Sequence, residues 1–266
     1  MRRINTDELK EIQLSILDHV VDFCEKHDIQ YWLDSGTLLG AVRHQGYIPW
    51  DDDIDIGMLR SDFDKFLGCF NQLSKRYKAY SIENRKKFYF AYCKVLDTKT
   101  ILYEPDEDGG VKISINIDVF VYDNAPDDNR ILEIMFMKRN IYRNLNLLRT
   151  LNHRPNGNIM RRILIYVLRL LIKPFPKAYF VKKMVQNSKK YIDVNTQRIG
   201  NFTGYMKMTC NKRVFKNFVE VEFEGKHYKA PMGYDEYLKA FYNNYMQLPP
   251  AEKQVSSHTF TAYIVD

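Results

Sequence analysis

Three consecutive aspartates, Asp51, Asp52 and Asp53, run directly into Ile54-Asp55-Ile56. In an extended chain successive side chains alternate, so Asp53 and Asp55 project from one face while Ile54 and Ile56 project from the other. Two carboxylates held that close repel each other unless a cation lies between them. Hard oxygen ligands of this kind suit Mg²⁺ or Mn²⁺, which in turn commonly hold substrate phosphates. A bare run of three aspartates is also a common acidic surface turn. The interleaved isoleucines, with Pro49 and Trp50 just ahead, favour a packed, fixed loop and therefore a metal site.

A phosphate site is readable just upstream. Gly36 follows a short apolar stretch and opens a helix, where backbone N–H groups and the helix dipole can receive an anion. Ser35 and Thr37 add hydroxyl donors. A third acid is needed to complete a metal cluster or to act as a base, and Asp118 is the candidate. It lies opposite the alternating set Ile113, Ile115, Ile117, Val119 and Val121, where an acid in mid-strand otherwise costs stability. Lys94 and Arg43 could neutralise phosphate charge in a transition state. His44 could contact phosphate or order the loop, and Asp123 reads as a turn residue.

Elements that would position these groups follow from periodicity. Residues 7 to 27 carry Leu9, Ile12, Ile16, Val20, Phe23 and Cys24 at steps of three and four, a helix for which Asn5 and Glu8 can form a capping box. Tyr31-Trp32-Leu33 reads as a short strand, Thr37 to Val42 as a helix, and Ile54 to Ile56 as a strand. Ser61, with Asp64 completing the cap, is expected to open a helix carrying Phe63, Phe66, Leu67, Phe70 and Leu73. Further strands are expected near Phe88 to Leu96 and, unbroken, near Val111 to Tyr122. Residues 129 to 200 look helical, basic and nearly free of strand pattern. Within them, Ile159 to Phe175 combines many aliphatics with Arg161, Arg162, Arg169 and Lys173. That stretch is too short and too charged to span a bilayer, and reads first as a core helix with a basic rim, or else as an interfacial helix on anionic lipid. The tail, from Phe223 to His258, has turn residues and a helical stretch around Tyr234 to Met246.

Composition sets outer bounds. A chain of 266 residues can bury a sizeable core, and its apolar and charged fractions exclude a disordered or fibrous protein. The net charge of +7 fits a partner carrying phosphate without choosing one. Cys24, Cys69, Cys93 and Cys210 show no metal spacing and are expected to be reduced. The N-terminal residues run into a charged helix with no apolar signal region, so a cytoplasmic protein, peripheral at most on the inner face of the membrane, is expected.

The segment from Gly36 to Ile56 resembles the signature of the LicD family, bacterial phosphocholine transferases similar to the fukutin-type proteins. Tyr92-Cys93-Lys94-Val95 through Thr100 and Ile117-Asp118-Val119-Phe120 resemble two further blocks of that family, and the stretch from Pro231 through Leu248-Pro249-Pro250 resembles its C-terminal block. Val121 stands where members often have Pro, and Asn243 where a Gly is frequent. The resemblance implies an α/β (α+β) fold: a nucleotidyltransferase-like core with a mixed β-sheet flanked by helices, plus a mainly helical basic insertion. The expected division is a catalytic core over 1–124, a helical basic segment over 125–200, and a part completing the substrate site over 201–266. The resemblance further implies a CDP-activated donor, CDP-choline or a related CDP-alcohol, and a glycan or glycolipid acceptor. Carried over by position, Asp53 and Asp55 bind the metal, Asp118 is a ligand or general base, and Gly36 and Thr37 hold donor phosphates with Lys94 and Arg43 nearby. Rival expectations are nucleotidyl transfer to a glycan or small molecule, and a noncatalytic glycan- or membrane-binding module. With no concentrated basic stripe or reader motif noted, no nucleic-acid partner is expected.

Overall fold

The computed structural model describes residues 1–104, 111–150, 158–255 and 260–265. The chain opens with β1 (Arg2–Ile4) and α1 (Thr6–Lys26), whose capping box between Asn5 and Glu8 forms as expected. After β2 (Trp32–Leu33) come α2 (Ser35–His44), β3 (Asp55–Leu59) and α3 (Arg60–Leu73). Next follow β4 (Tyr77–Tyr80), β5 (Cys93–Asp97), β6 (Thr100–Glu104), β7 (Val111–Ile113) and β8 (Asn116–Ala125). Three helices, α4 (Asn129–Thr150), α5 (Ile159–Ile172) and α6 (Tyr179–Ser188), lead to β9 (Arg198–Asn201) and β10 (Met208–Asn211). A hairpin of β11 (Phe218–Phe223) and β12 (Lys226–Pro231), then α7 (Tyr234–Tyr242) and β13 (Thr261–Ile264), complete the α/β fold.

The organising element is β8. It pairs in parallel with β3 on one side, while on the other it pairs antiparallel with β5 along its first half and with β9 along its second. With β2 on β3, β4 on β5 and β10 on β9, this makes a mixed sheet of seven strands. One face is covered by α1 and α3, where Ile16, Val20, Phe63, Phe66 and Phe70 bury against Ile56, Met58, Ile117 and Val119. That packing explains the strict alternation read in β8. The other face carries Asp55 and Asp118.

Several local expectations needed correction. The run from Val111 to Tyr122 is two strands, not one. The amide of Ile115 donates to Thr100 Oγ1 (2.9 Å) and its carbonyl accepts from Asp97 N (2.9 Å), which diverts the chain from a small antiparallel sheet into the large one. Ser61 does not cap α3: the helix starts at Arg60, directly after β3, with no side-chain cap. Residues 129–200 end in strand β9, which extends the main sheet. The core-helix reading of α5 also fails, since only Ile172 of that helix is buried.

Asp123, expected in a turn, lies within β8 and is fully buried. Arg60 explains it: Nε meets Oδ1 at 2.7 Å and Nη2 meets Oδ2 at 2.9 Å, a bidentate pair that fits guanidinium to carboxylate. Ser188 Oγ also donates to Asp123, and Arg60 reaches Glu83 at 2.8 Å. The network ties α3, β8 and the end of α6 together. Removing one partner of such a buried pair leaves the other charge desolvated. Asp123→Asn is therefore expected to cost about 2–3 kcal/mol in urea denaturation, and a loss below ~0.5 kcal/mol would refute the network's role.

Candidate active site

Strand register places the chemistry. Asp55 on β3 is the partner of Asp118 on β8, and Asp118 is in turn the partner of Lys94 on β5. Side chains directly opposite on neighbouring strands share a face, so Lys94, Asp118 and Asp55 form a row across three strands. Lys94 Nζ donates to Asp118 Oδ1 at 2.7 Å and to Asn116 Oδ1 at 2.9 Å. The ammonium also lies 5.1 Å from the ring centroids of both Phe90 and Tyr92, a setting that favours a cation.

The row opens into a cavity of about 680 Å³. Ser35, Gly36, Asp53, Asp55, Lys94 and Asp118 all line it, as do Asp51 and Asp52. Among the described lining residues there are thus five aspartates and a single lysine. Burial pushes the Asp55 carboxyl well above the usual carboxylate range, and repulsion from Asp53, Asp118, Asp34 and Asp51 adds to it. This excess of buried negative charge is what a divalent cation would offset. No three Asp, Glu, His or Cys side chains among the described residues converge as a ready-made metal cage. Asp53 and Asp55, with Asp118 beside them, are the residues that could hold such an ion, with phosphate oxygens and water able to complete its shell as is common for Mg²⁺.

Three of the residues singled out from sequence are not among the cavity's lining residues. Thr37 Oγ1 accepts from the Asp55 amide at 2.8 Å, fixing the start of β3. Arg43 donates through Nε to His44 Nε2 (2.9 Å) and through Nη1 to the Tyr245 carbonyl (2.7 Å), so both side chains brace the C-terminal part against α2.

The Ser35-Gly36 turn is held from behind by Asp34, a fully buried residue. Tyr122 Oη donates to both Asp34 oxygens at 3.0 Å, and Tyr237 Oη to Oδ1. Ser35 takes φ +47° at the first residue of α2, a left-handed backbone that a non-glycine residue adopts only under constraint. At Gly36 the backbone approaches Asp51 closely: a Cβ there would come within 2.9 Å of Asp51 Oδ2, so the carboxylate would have to shift.

Burial raises the Asp34 carboxyl to about 6 against these hydrogen bonds. An acid whose folded pKa exceeds its unfolded value costs stability above the unfolded value, and the cost is complete above the folded one. As pH rises from 4 to 7, wild-type stability should therefore fall relative to Asp34→Asn by up to about 3 kcal/mol. Parallel chemical melts of both proteins would measure it, and curves that keep a constant offset would show that Asp34 does not titrate in this way.

Other lining residues gave weaker sequence signals. Gln13, on the buried face of α1, donates to the Asp52 carbonyl at 2.9 Å and accepts from Tyr47 Oη at 3.2 Å, pinning the acidic loop. Its four-residue step from Leu9, on a stripe continued by Ile16, was the available clue. Asn201, Gly204 and Tyr205 form a wall that α4 secures from behind, with Arg139 donating to the Gly204 carbonyl and Arg143 to that of Tyr205 (3.1 Å). Nothing in local periodicity links those segments.

Residues 28–148 match the family described as LicD/FKTN/FKRP, nucleotidyltransferase domain. The lipopolysaccharide cholinephosphotransferase LicD of Haemophilus influenzae is 28% identical over 270 aligned positions, covering the whole of both chains. An uncharacterised Rickettsia typhi protein is 35% identical over 132 residues, 48% of this chain and 38% of that one. The human ribitol 5-phosphate transferase FKRP is 48% identical over 44 residues, 16% of this chain and 9% of its own. The acid row, its lysine and the Ser-Gly turn thus lie within the segment, residues 28–148, that matches the LicD/FKTN/FKRP nucleotidyltransferase domain family.

Proposed function

We propose that this chain transfers a phosphorylated alcohol from a CDP-activated donor to a glycan hydroxyl, with release of CMP. The observation that carries the reading is the in-register row of Lys94, Asp118 and Asp55 facing a cavity of about 680 Å³, a size within the usual range of small-ligand pockets. The relatives supply the transferred group: LicD is a lipopolysaccharide cholinephosphotransferase and FKRP a ribitol 5-phosphate transferase. Phosphocholine is the first choice, because the cholinephosphotransferase aligns over the whole chain. Tyr205, Tyr242 and Phe120 in the cavity wall offer aromatic faces to a quaternary ammonium.

In this reading Asp53 and Asp55 hold Mg²⁺ or Mn²⁺, which supplies charge neutralisation for the donor diphosphate when bound. The Ser35-Gly36 turn positions the diphosphate at the N-terminus of α2. Asp118 takes the proton from the acceptor hydroxyl as its oxygen attacks the distal phosphorus. The new O–P bond forms as the bridging P–O bond breaks, and CMP carries away that bond's electron pair. Lys94 orients Asp118 and balances the equatorial phosphoryl oxygens, so the protein's contribution is positioning and electrostatics.

The test is CMP release from CDP-choline, CDP-ethanolamine, CDP-glycerol and CDP-ribitol, with Mg²⁺ or Mn²⁺ and an envelope glycan extract. Acceptor-dependent CMP release from one donor supports the reading and names the group. Incorporation of a nucleotide into the acceptor would replace it with nucleotidyl transfer. Absence of metal-dependent donor binding would leave a noncatalytic binding module.

A further inference from the structure

Helix α5 presents its apolar side outward. At about 100° per residue, Ile165, Leu168 and Ile172 fall on one side of the helix and are the residues turned toward the body of the protein. Met160, Ile163, Leu164, Val167, Leu170 and Leu171 occupy the opposite half and are all exposed, Met160 by 77% and Leu170 by 69%. Arg162 and Lys173 are exposed as well and flank that face along one edge, whereas Arg161, in the first turn, falls at the angular position of Leu168 and Ile172. A soluble surface does not ordinarily leave six large aliphatic side chains together in water.

The charge around this helix is as uneven as its hydrophobicity. Between Ile134 and Ile192 the sequence has 14 lysines and arginines and no aspartate or glutamate, although the whole chain is only +7. The remaining residues are therefore net negative. An apolar stripe bordered by cations within a strongly cationic segment complements a bilayer rich in anionic headgroups. The helix has 14 residues, about 21 Å of length, enough to lie in the interface and too short to cross it. Among the described residues no helix is long and apolar enough to span a membrane.

We propose that α5 is an interfacial anchor that lays this apolar face into the headgroup region of an anionic lipid bilayer, with Arg162 and Lys173 meeting lipid phosphates. The charge distribution disfavours a second copy of the chain as the occupant, because a twofold contact would set the cationic segment against itself. Nucleic acid would leave the aliphatic face uncovered. The inference does not depend on the catalytic reading above.

The test uses the intact chain in flotation with vesicles of phosphatidylcholine alone and of phosphatidylcholine mixed with phosphatidylglycerol. Binding to the anionic vesicles should be at least about tenfold stronger and weaken with salt. The double variant Leu164→Glu, Leu171→Glu should lose about tenfold or more of that binding while melting at the wild-type temperature, since both side chains are exposed. Arg162→Glu with Lys173→Glu should weaken it also. Absence of binding to anionic vesicles, or equal binding by the leucine variant, would overturn the proposal. So would a wild-type dimer in light scattering that the leucine variant converts to monomer without any vesicle binding, which would make the face a contact between copies.

Discussion

Asp55→Asn is expected to abolish group transfer and at the same time make the protein more stable. The Asp55 carboxyl is buried and surrounded by Asp53, Asp118, Asp34 and Asp51, and both burial and repulsion disfavour its charge. An amide of the same shape removes that penalty without creating a cavity. The sign follows from linkage: a carboxyl raised in the folded state costs stability above its unfolded pKa, increasingly so until its folded pKa is passed. The variant's advantage should vanish near pH 4 and grow toward pH 8. Mg²⁺ or Mn²⁺ should raise the melting temperature of the wild type and leave that of the variant nearly unchanged. Turnover should fall about 10³- to 10⁴-fold, on the order of 4–5 kcal/mol of barrier. An active variant, or one less stable than wild type at pH 8, would remove Asp55 from the role assigned to it.

Lys94→Met should produce the opposite pairing of effects, with activity and stability lost together. The lysine is buried, bonds Asp118 at 2.7 Å, and sits beside the rings of Phe90 and Tyr92. Methionine keeps much of the stem and its packing but leaves Asp118 next to Asp55 without the ammonium. Two neighbouring carboxylates in a low-dielectric site would then have to share a proton or a metal. Turnover should drop about 10³-fold, roughly 4 kcal/mol, with stability lower by about 2–4 kcal/mol. Lys94→Arg should not restore activity, because a planar guanidinium cannot occupy the ammonium's place between Asp118, Asn116 and the two rings. Full rescue by arginine would show that charge alone matters there.

The acidic strand and Gly36 were legible because their signals are local. Alternation over Asp53 to Ile56, and the polarity of Asp118 within an aliphatic run, survive without any tertiary information. The pairing of Asp55 with Asp118 and Lys94 was not legible, since register depends on how β3, β5 and β8 are threaded. Asp123 shows the limit most directly: an Asp-Asn pair at a strand end reads as a turn, and only the distant Arg60 makes its burial tolerable. Asp34 was passed over for a similar reason, because its partners Tyr122 and Tyr237 come from β8 and α7. For α5 the amphipathic pattern was visible, but periodicity alone does not tell which side of a helix faces the protein.

The pairing of β13 sets a schedule for folding. Asp55, Lys94 and Asp118 all belong to the stretch ending at β8, so the acid row requires no segment that follows that strand. The strand β6, by contrast, finds its neighbour in β13, with Thr100 opposite Ile264, and β13 also pairs with β1. Leu102 and Phe260, which line the cavity, come from β6 and from the residue just before β13. Contacts of such long sequence separation close slowly, because the entropy of the intervening chain must be lost before they form. During synthesis on the ribosome the acid row can assemble while this wall is still absent, and the cavity acquires its full lining only when β13 slots between β1 and β6.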